Sequence, residues 1–134
     1  MALLELTTEN FATTLNKDGI TLIDWWAEWC GPCKRFGPIY EAASTRHPDL
    51  TFGKVDTEAQ AELAGTFNIR SIPMLMVFRD QVLVYAEPGA IPGAALDEII
   101  GKIKALDIAK IQKELAEAEK REGADRSQEA TIEE

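Results

Sequence analysis

The chain has no excess of basic residues: 14 Lys and Arg stand against 23 Asp and Glu, for a formal net charge of −9. A protein that neutralises phosphates needs Lys and Arg concentrated on some face, so no nucleic-acid or anionic-membrane surface is expected. Long apolar runs are missing as well. The longest, Ile72 to Phe78, falls far short of the roughly 18 to 20 residues that a membrane span requires. Histidine occurs once, at His47, and cysteine only at Cys30 and Cys33. A closed zinc site wants about four ligands, which one copy of this chain does not offer near the cysteines; a metal bridged between two copies stays open. Met1 to Leu6 has no basic segment and carries Glu5 within its apolar run, unlike a secretory signal, so a cytoplasmic location is expected. Thiols are kept reduced there, so a closely spaced cysteine pair is catalytic, metal-binding or incidental rather than a structural clamp.

What is present suits one soluble globular domain. The 134 residues are 46% hydrophobic and 28% charged, enough to bury a core without disulfide staples. Leu3, Leu4 and Leu6 suggest a first strand. A helix capped by Thr7 or Thr8 runs through Leu15 and ends at Asp18-Gly19. Ile20 to Ala27 is almost continuously apolar, as a strand buried on both faces should be, with Asp24 as its one interior charge. Lys34 to Arg46 is expected to be a helix kinked at Pro38. Leu50 to Val55 makes a third strand, and Thr57 caps a helix to about Phe67. Met74 to Phe78 makes a fourth strand, turning at Asp80-Gln81 into Val82 to Ala86, and a helix follows from Pro92 to Leu106. The order implies helices on both faces of a mixed sheet with an antiparallel last hairpin. The cysteines follow the second strand at its carboxyl end, where ligand crevices of such sheets lie.

Beyond Leu106 the pattern changes. Ile108, Ile111, Leu115 and Ala118 form a helical stripe rotated by about 100° from that of Leu96, Ile99, Ile100, Ile103 and Leu106. A break near Asp107 is therefore expected. The division is 1–106 for the domain, 107–122 for an extra helix and 123–134 for a polar, disordered tail.

Cys30 and Cys33, at i and i+3, lie one above the other on the first turn of a helix, where a disulfide forms and breaks without moving the backbone. Unpaired N–H groups and the helix dipole at Cys30 favour an anion, so Cys30 is the expected nucleophile. Cys33, one turn in and better shielded, is the expected resolving thiol. Its proton needs an acceptor, and burial raises the pKa of Asp24 toward neutrality, making it the candidate base. Lys54 on the neighbouring strand moderates that shift, although a solvated strand-end lysine is the plain alternative. Trp25 is expected in the core, Trp29 at an exposed rim, and His47 at the surface beside a helix end.

Trp29-Cys30-Gly31-Pro32-Cys33-Lys34 resembles the active site of thioredoxins. The likeness extends to Asp24 and Trp26, Pro38, Lys54-Val55-Asp56, Arg70-Ser71-Ile72-Pro73 and Gly89, and covers roughly residues 2 to 106. It implies an α/β thioredoxin fold, a central mixed five-stranded sheet flanked by four helices, here with the extra C-terminal helix and tail. It also implies that Cys30 attacks a target disulfide, Cys33 releases it, Asp24 handles the proton and Trp29 covers the site. Pro73 would be cis, offering the Ile72 backbone to an extended substrate, with Gly89 and Ala90 on the same docking rim. Gly31-Pro32 is the dipeptide of the reducing members.

The resemblance further implies a protein-disulfide reductase with no cofactor beyond the Cys30–Cys33 redox pair, re-reduced by a thioredoxin reductase and acting on disulfide-containing proteins as a monomer. Met74, where the family usually has Thr, would change a contact close to the sulfurs. Pro88 before Gly89 would stiffen the rim. Two other readings stay open: a thioredoxin-fold interaction module using the C-terminal helix, and a disulfide oxidase or isomerase.

Overall fold

A computed structural model describes residues 3–133, with side chains described as far as Arg121. Its five strands are β1 (Leu3–Glu5), β2 (Ile20–Trp26), β3 (Thr51–Asp56), β4 (Met74–Arg79) and β5 (Val82–Pro88). They form a single sheet in the order β1-β3-β2-β4-β5. β1, β3 and β2 run parallel, and β4 and β5 pair antiparallel. The helices are α1 (Phe11–Leu15), α2 (Gly31–Arg46), α3 (Ala61–Thr66), α4 (Gly93–Lys104) and α5 (Ile108–Glu133). This is the thioredoxin fold expected from the sequence, with a fifth helix added.

The alternation of β2 divides the core. Ile20 and Leu22 join Phe36, Tyr40, Phe52, Leu75 and Leu96 on the face covered by α2 and α4. Ile23 and Trp25 join Leu6, Phe11, Val55 and Leu63 on the face covered by α1 and α3. Because strand side chains alternate, Asp24 follows Ile20 and Leu22 and points toward α2. The strand is buried on both faces, so that carboxylate is committed to the interior.

Two helix starts differ from expectation. Neither Thr7 nor Thr8 caps α1; Asn10 precedes it, and the Asn10 Oδ1 accepts from the Thr7 N–H at 2.7 Å in a turn ahead of the helix. Thr57 does not cap α3, because its N–H and hydroxyl both donate to the Trp26 carbonyl, at 2.8 and 3.1 Å. The Asp56 carboxylate instead accepts from the Glu58 and Ala59 N–H groups, and the helix starts only at Ala61. α2 stays helical through Pro38.

The expected break after α4 is present. The Asp107 carboxylate accepts from the Lys110 N–H at 3.1 Å and caps α5. Arg79 of β4 donates from Nη1 to the carbonyls of Ile103, Lys104 and Leu106, satisfying the open end of α4. The backbone of α5 is helical to Glu133. The polar tail expected over 123–134 falls on residues whose side chains lie outside the described ones.

Candidate active site

The site is built where β2 ends and α2 begins. Cys30 is the N-cap of α2, with extended backbone, and its sulfur accepts from the Cys33 N–H at 3.2 Å. Gly31 and Pro32 open the helix, Pro32 falling where a missing N–H costs nothing. Cys30 and Cys33 are joined as a disulfide across a Cα–Cα distance of 5.2 Å, within the ordinary span for such a bond. The greater shielding expected for Cys33 is not found, since Cys30 is 4% and Cys33 5% exposed. What separates them is position. Cys30 holds the helix start, where N–H groups point at its sulfur, whereas Cys33 sits one turn inside.

Asp24 is fully buried. Burial pushes its carboxyl from 3.8 up to about 7, opposed by the positive charge of Lys54. Among the described residues neither of its oxygens has a hydrogen-bond partner, so the Lys54 charge is what favours the ionised form. Lys54 is its cross-strand neighbour in the β2–β3 register and stands over the Trp26 ring at 4.6 Å from the centroid. A cleft of about 380 Å³ beside them is lined by Trp26, Cys33, Pro38, Glu41 and Lys54. It gives solvent a route to the Cys33 side of the disulfide.

The outer face differs in character. Trp29 is 69% exposed, and its Nε1 donates to Glu58 Oε1 at 2.6 Å. Pro73 follows a cis bond from Ile72, and the Ile72 carbonyl oxygen lies 3.7 Å from Cys30 Sγ. The Gly89 N–H donates to the Pro73 carbonyl at 2.7 Å. A Cβ on Gly89 would lie 3.4 Å from both that carbonyl and the Phe36 ring, in close contact with each. Ala90 is exposed beside it. Trp29 thus precedes Cys30 in the chain, the Ile72 carbonyl approaches its sulfur, and Gly89, buried, is tied to Pro73 with Ala90 exposed next to it.

Met74 departs from expectation. It packs among the residues around Trp25 and Phe67, on the sheet face away from Asp24, and does not join the cluster of Ala27, Cys30, Cys33, Trp26 and Ile72. The residue after a cis-proline starts the strand, and the alternation of β4 turns its side chain downward. Pro88 is its partner across the β4–β5 ladder, on an edge strand that tolerates a missing N–H. His47 is at the other end of α2, with Nε2 2.9 Å from Asp97 Oδ1. Sequence reasoning missed Glu58 and Tyr40. Both act through contacts between segments far apart in the chain, which leave no periodic or motif signal.

The chain matches the family model described as Thioredoxin over residues 2–105. It is 56% identical over 120 residues to a putative thioredoxin 2 of Streptomyces coelicolor, covering 90% of each chain. It is 36% identical over 103 residues to a thioredoxin of Bacillus subtilis, covering 76% of this chain and 98% of the other. Identity to a thioredoxin of Mycobacterium bovis is 41% over 97 residues, covering 71% of this chain and 84% of that one. The match to the Streptomyces coelicolor protein is longer than the family model's span, so it reaches into the α5 extension.

Proposed function

Because this chain belongs to the thioredoxin family and is a thiol–disulfide oxidoreductase that reduces protein disulfides, we propose that Cys30 is its nucleophile, Cys33 its resolving thiol and Asp24 the proton acceptor between them. The observation that carries this is the Cys30–Cys33 disulfide at the start of α2, with a buried carboxylate, its pKa raised to about 7, on the strand that leads to it.

The reduced pair starts the cycle. The Cys30 thiolate attacks one sulfur of a substrate disulfide, forming a mixed disulfide and releasing the other substrate sulfur as a thiolate. The Cys33 thiol passes its proton to Asp24 and attacks the Cys30 sulfur. The bond to the substrate breaks, the second substrate sulfur leaves and Cys30–Cys33 closes. Two electrons have moved from the dithiol to the substrate. Gly31 and Pro32 set the short turn that keeps the sulfurs in reach, and Lys54 keeps Asp24 ionisable near neutral pH.

The substrate segment lies extended against the Ile72 backbone beside cis-Pro73, with Trp29, Gly89 and Ala90 as the rim of the docking face. Its class is an accessible protein disulfide with an extended flank. A thioredoxin reductase returns the pair to the dithiol, and the protein works in the cytoplasm as a monomer, with 1–106 as the catalytic unit and 107–134 as an appendage. Trapping tests the assignment. With Cys33→Ser, substrate proteins should remain covalently attached to Cys30 and insulin reduction should stop, and full turnover by that variant would overturn the two-cysteine reading.

A further inference from the structure

Tyr40 is a buried hydroxyl that the exchange reaction does not use. It lies two helical turns after Cys33 on the inner face of α2 and is 0% exposed. The rings of Phe36 and Phe52 flank it at centroid distances of 5.7 and 5.3 Å. Its hydroxyl donates to the carbonyl of Gly53 at 2.8 Å. A hydroxyl in such apolar surroundings is costly unless partnered, so that bond is strongly held.

Gly53 is also fixed from the opposite face, where an added Cβ would lie 2.9 Å from Leu6 Cγ. The next residue is Lys54, whose carbonyl accepts from the Leu6 N–H at 2.8 Å. Phe52 and Lys54 alternate onto the α2 side of the sheet, the side to which Asp24 points. We propose that Tyr40 is a positioning residue of the reductive site: by tying α2 to β3 at the Gly53 carbonyl, it fixes where the Lys54 ammonium stands relative to the Asp24 carboxylate.

The surroundings of Asp24 leave this link few rivals. Lys54 of β3 and the apolar Leu75 of β4 stand beside it in the sheet register, and Tyr40 of α2 and the apolar Leu96 of α4 pack on the same face of the sheet. Glu28, Lys34 and Glu41 line the cleft on the outer side of Lys54. The Tyr40 proton is committed to Gly53, so the phenol does not act on Asp24 as a donor. Its influence passes through the strand.

The titration of Asp24 in the oxidised protein, followed by its side-chain carboxyl carbon in NMR, tests the proposal. Tyr40→Phe keeps the ring and removes the tie. Its Asp24 midpoint should rise by roughly half a pH unit, in the direction that Lys54→Met moves it, since less positive charge is held near the carboxylate. In the Lys54→Met background, Tyr40→Phe should add no further shift. An unchanged midpoint in folded Tyr40→Phe, or a shift that persists without Lys54, overturns the proposal. Tyr40→Leu serves as a second variant with the same expected outcome. The proposal rests on Asp24 being the proton acceptor only for its consequence in turnover. If Asp24→Asn reduces insulin normally while the Tyr40→Phe shift is present, the acceptor role fails and the positioning link stands.

Discussion

Asp24 and Lys54 are partners in the parallel β2–β3 register, and the lysine's charge is set against the burial of the carboxylate. Desolvation is the larger effect, and it brings the group to about 7 rather than leaving it near 3.8. A carboxylate in the ordinary range would be too weak a base to accept a thiol proton, and one held far above neutrality would be protonated already. The pair therefore places the acceptor near the working pH.

Stability carries the trace of this arrangement. The native pKa of Asp24 is raised above its unfolded value, so its ionisation destabilises the fold: the effect is absent below about pH 4, grows between about 4 and 7, where the unfolded chain has released a proton that the native one retains, and levels above 7. The interval from 3.8 to about 7, at about 1.36 kcal/mol per pH unit, sets a ceiling of roughly 4 kcal/mol. Asp24→Asn should be more stable than the parent at pH 8 and should match it more closely at pH 4. Urea unfolding of both proteins at the two pH values measures the difference, and a parent that gains stability relative to Asp24→Asn between them contradicts the burial argument.

Turnover should move the other way. Asp24 accepts a proton only when ionised, so resolution of the mixed disulfide should speed up as pH rises through about 7 and then level. Removing a positioned base typically costs about 10²-fold or more. Asp24→Asn should therefore resolve at least about a hundredfold more slowly at neutral pH, with its remaining pH dependence following the Cys33 thiol. Single-turnover reduction of insulin, read by tryptophan fluorescence, reports it. A variant within twofold of the parent would remove Asp24 from the proton path.

Much of this site was legible because its signals are local. The Cys30–Cys33 spacing and the interior charge of β2 each mark their own position, the family resemblance added Pro73 and Gly89, and the order of strands places the cysteines at one end of the sheet. The starts of α1 and α3 were not legible, because Thr8 donates its N–H and hydroxyl to Gln60 and Thr57 donates its own to Trp26, residues distant in sequence. Likewise the hold of Glu58 on Trp29 and of Tyr40 on Gly53 joins separate segments. Met74 was misplaced for a different reason: adjacency to Pro73 in sequence suggested adjacency to the sulfurs, and strand alternation turns it the other way.

Gly53 has no room for a side chain. With Leu6 Cγ 2.9 Å from the position of an added Cβ, and Tyr40 bonded to its carbonyl, the strand has nowhere to retreat. Gly53→Ala should lose about 1 to 3 kcal/mol, the usual range for an overpacked core. Chemical denaturation measures it. In a Leu6→Ala background, itself destabilised by the lost core side chain, the further cost of Gly53→Ala should be smaller, and a Gly53→Ala protein as stable as the parent would show that Leu6 yields freely.

The hairpin between β4 and β5 holds a second backbone constraint, at the end of β4 remote from Met74. Asp80 and Gln81 both have positive φ, 48° and 73°, the pattern of a turn whose twist matches paired antiparallel strands and which favours Asn-Gly. Asp80 has reasons to be there: its carboxylate accepts from the Gly19 N–H at 2.7 Å and its own N–H donates to the Gly19 carbonyl at 2.8 Å. Gln81 is exposed, and only its backbone serves the turn. Left-handed backbone costs a residue with a Cβ about 1 to 2 kcal/mol, whereas glycine avoids that strain but loses more freedom on folding. The first effect is the larger, so Gln81→Gly should stabilise the protein by about 0.5 to 1 kcal/mol. Asp80→Gly, which also gives up the bond to Gly19, should gain less or lose stability. The urea midpoint should rise for Gln81→Gly with an unchanged m-value, and insulin reduction should be unaffected. A fall in that midpoint would mean that the Gln81 side chain holds the turn in a way its exposure conceals.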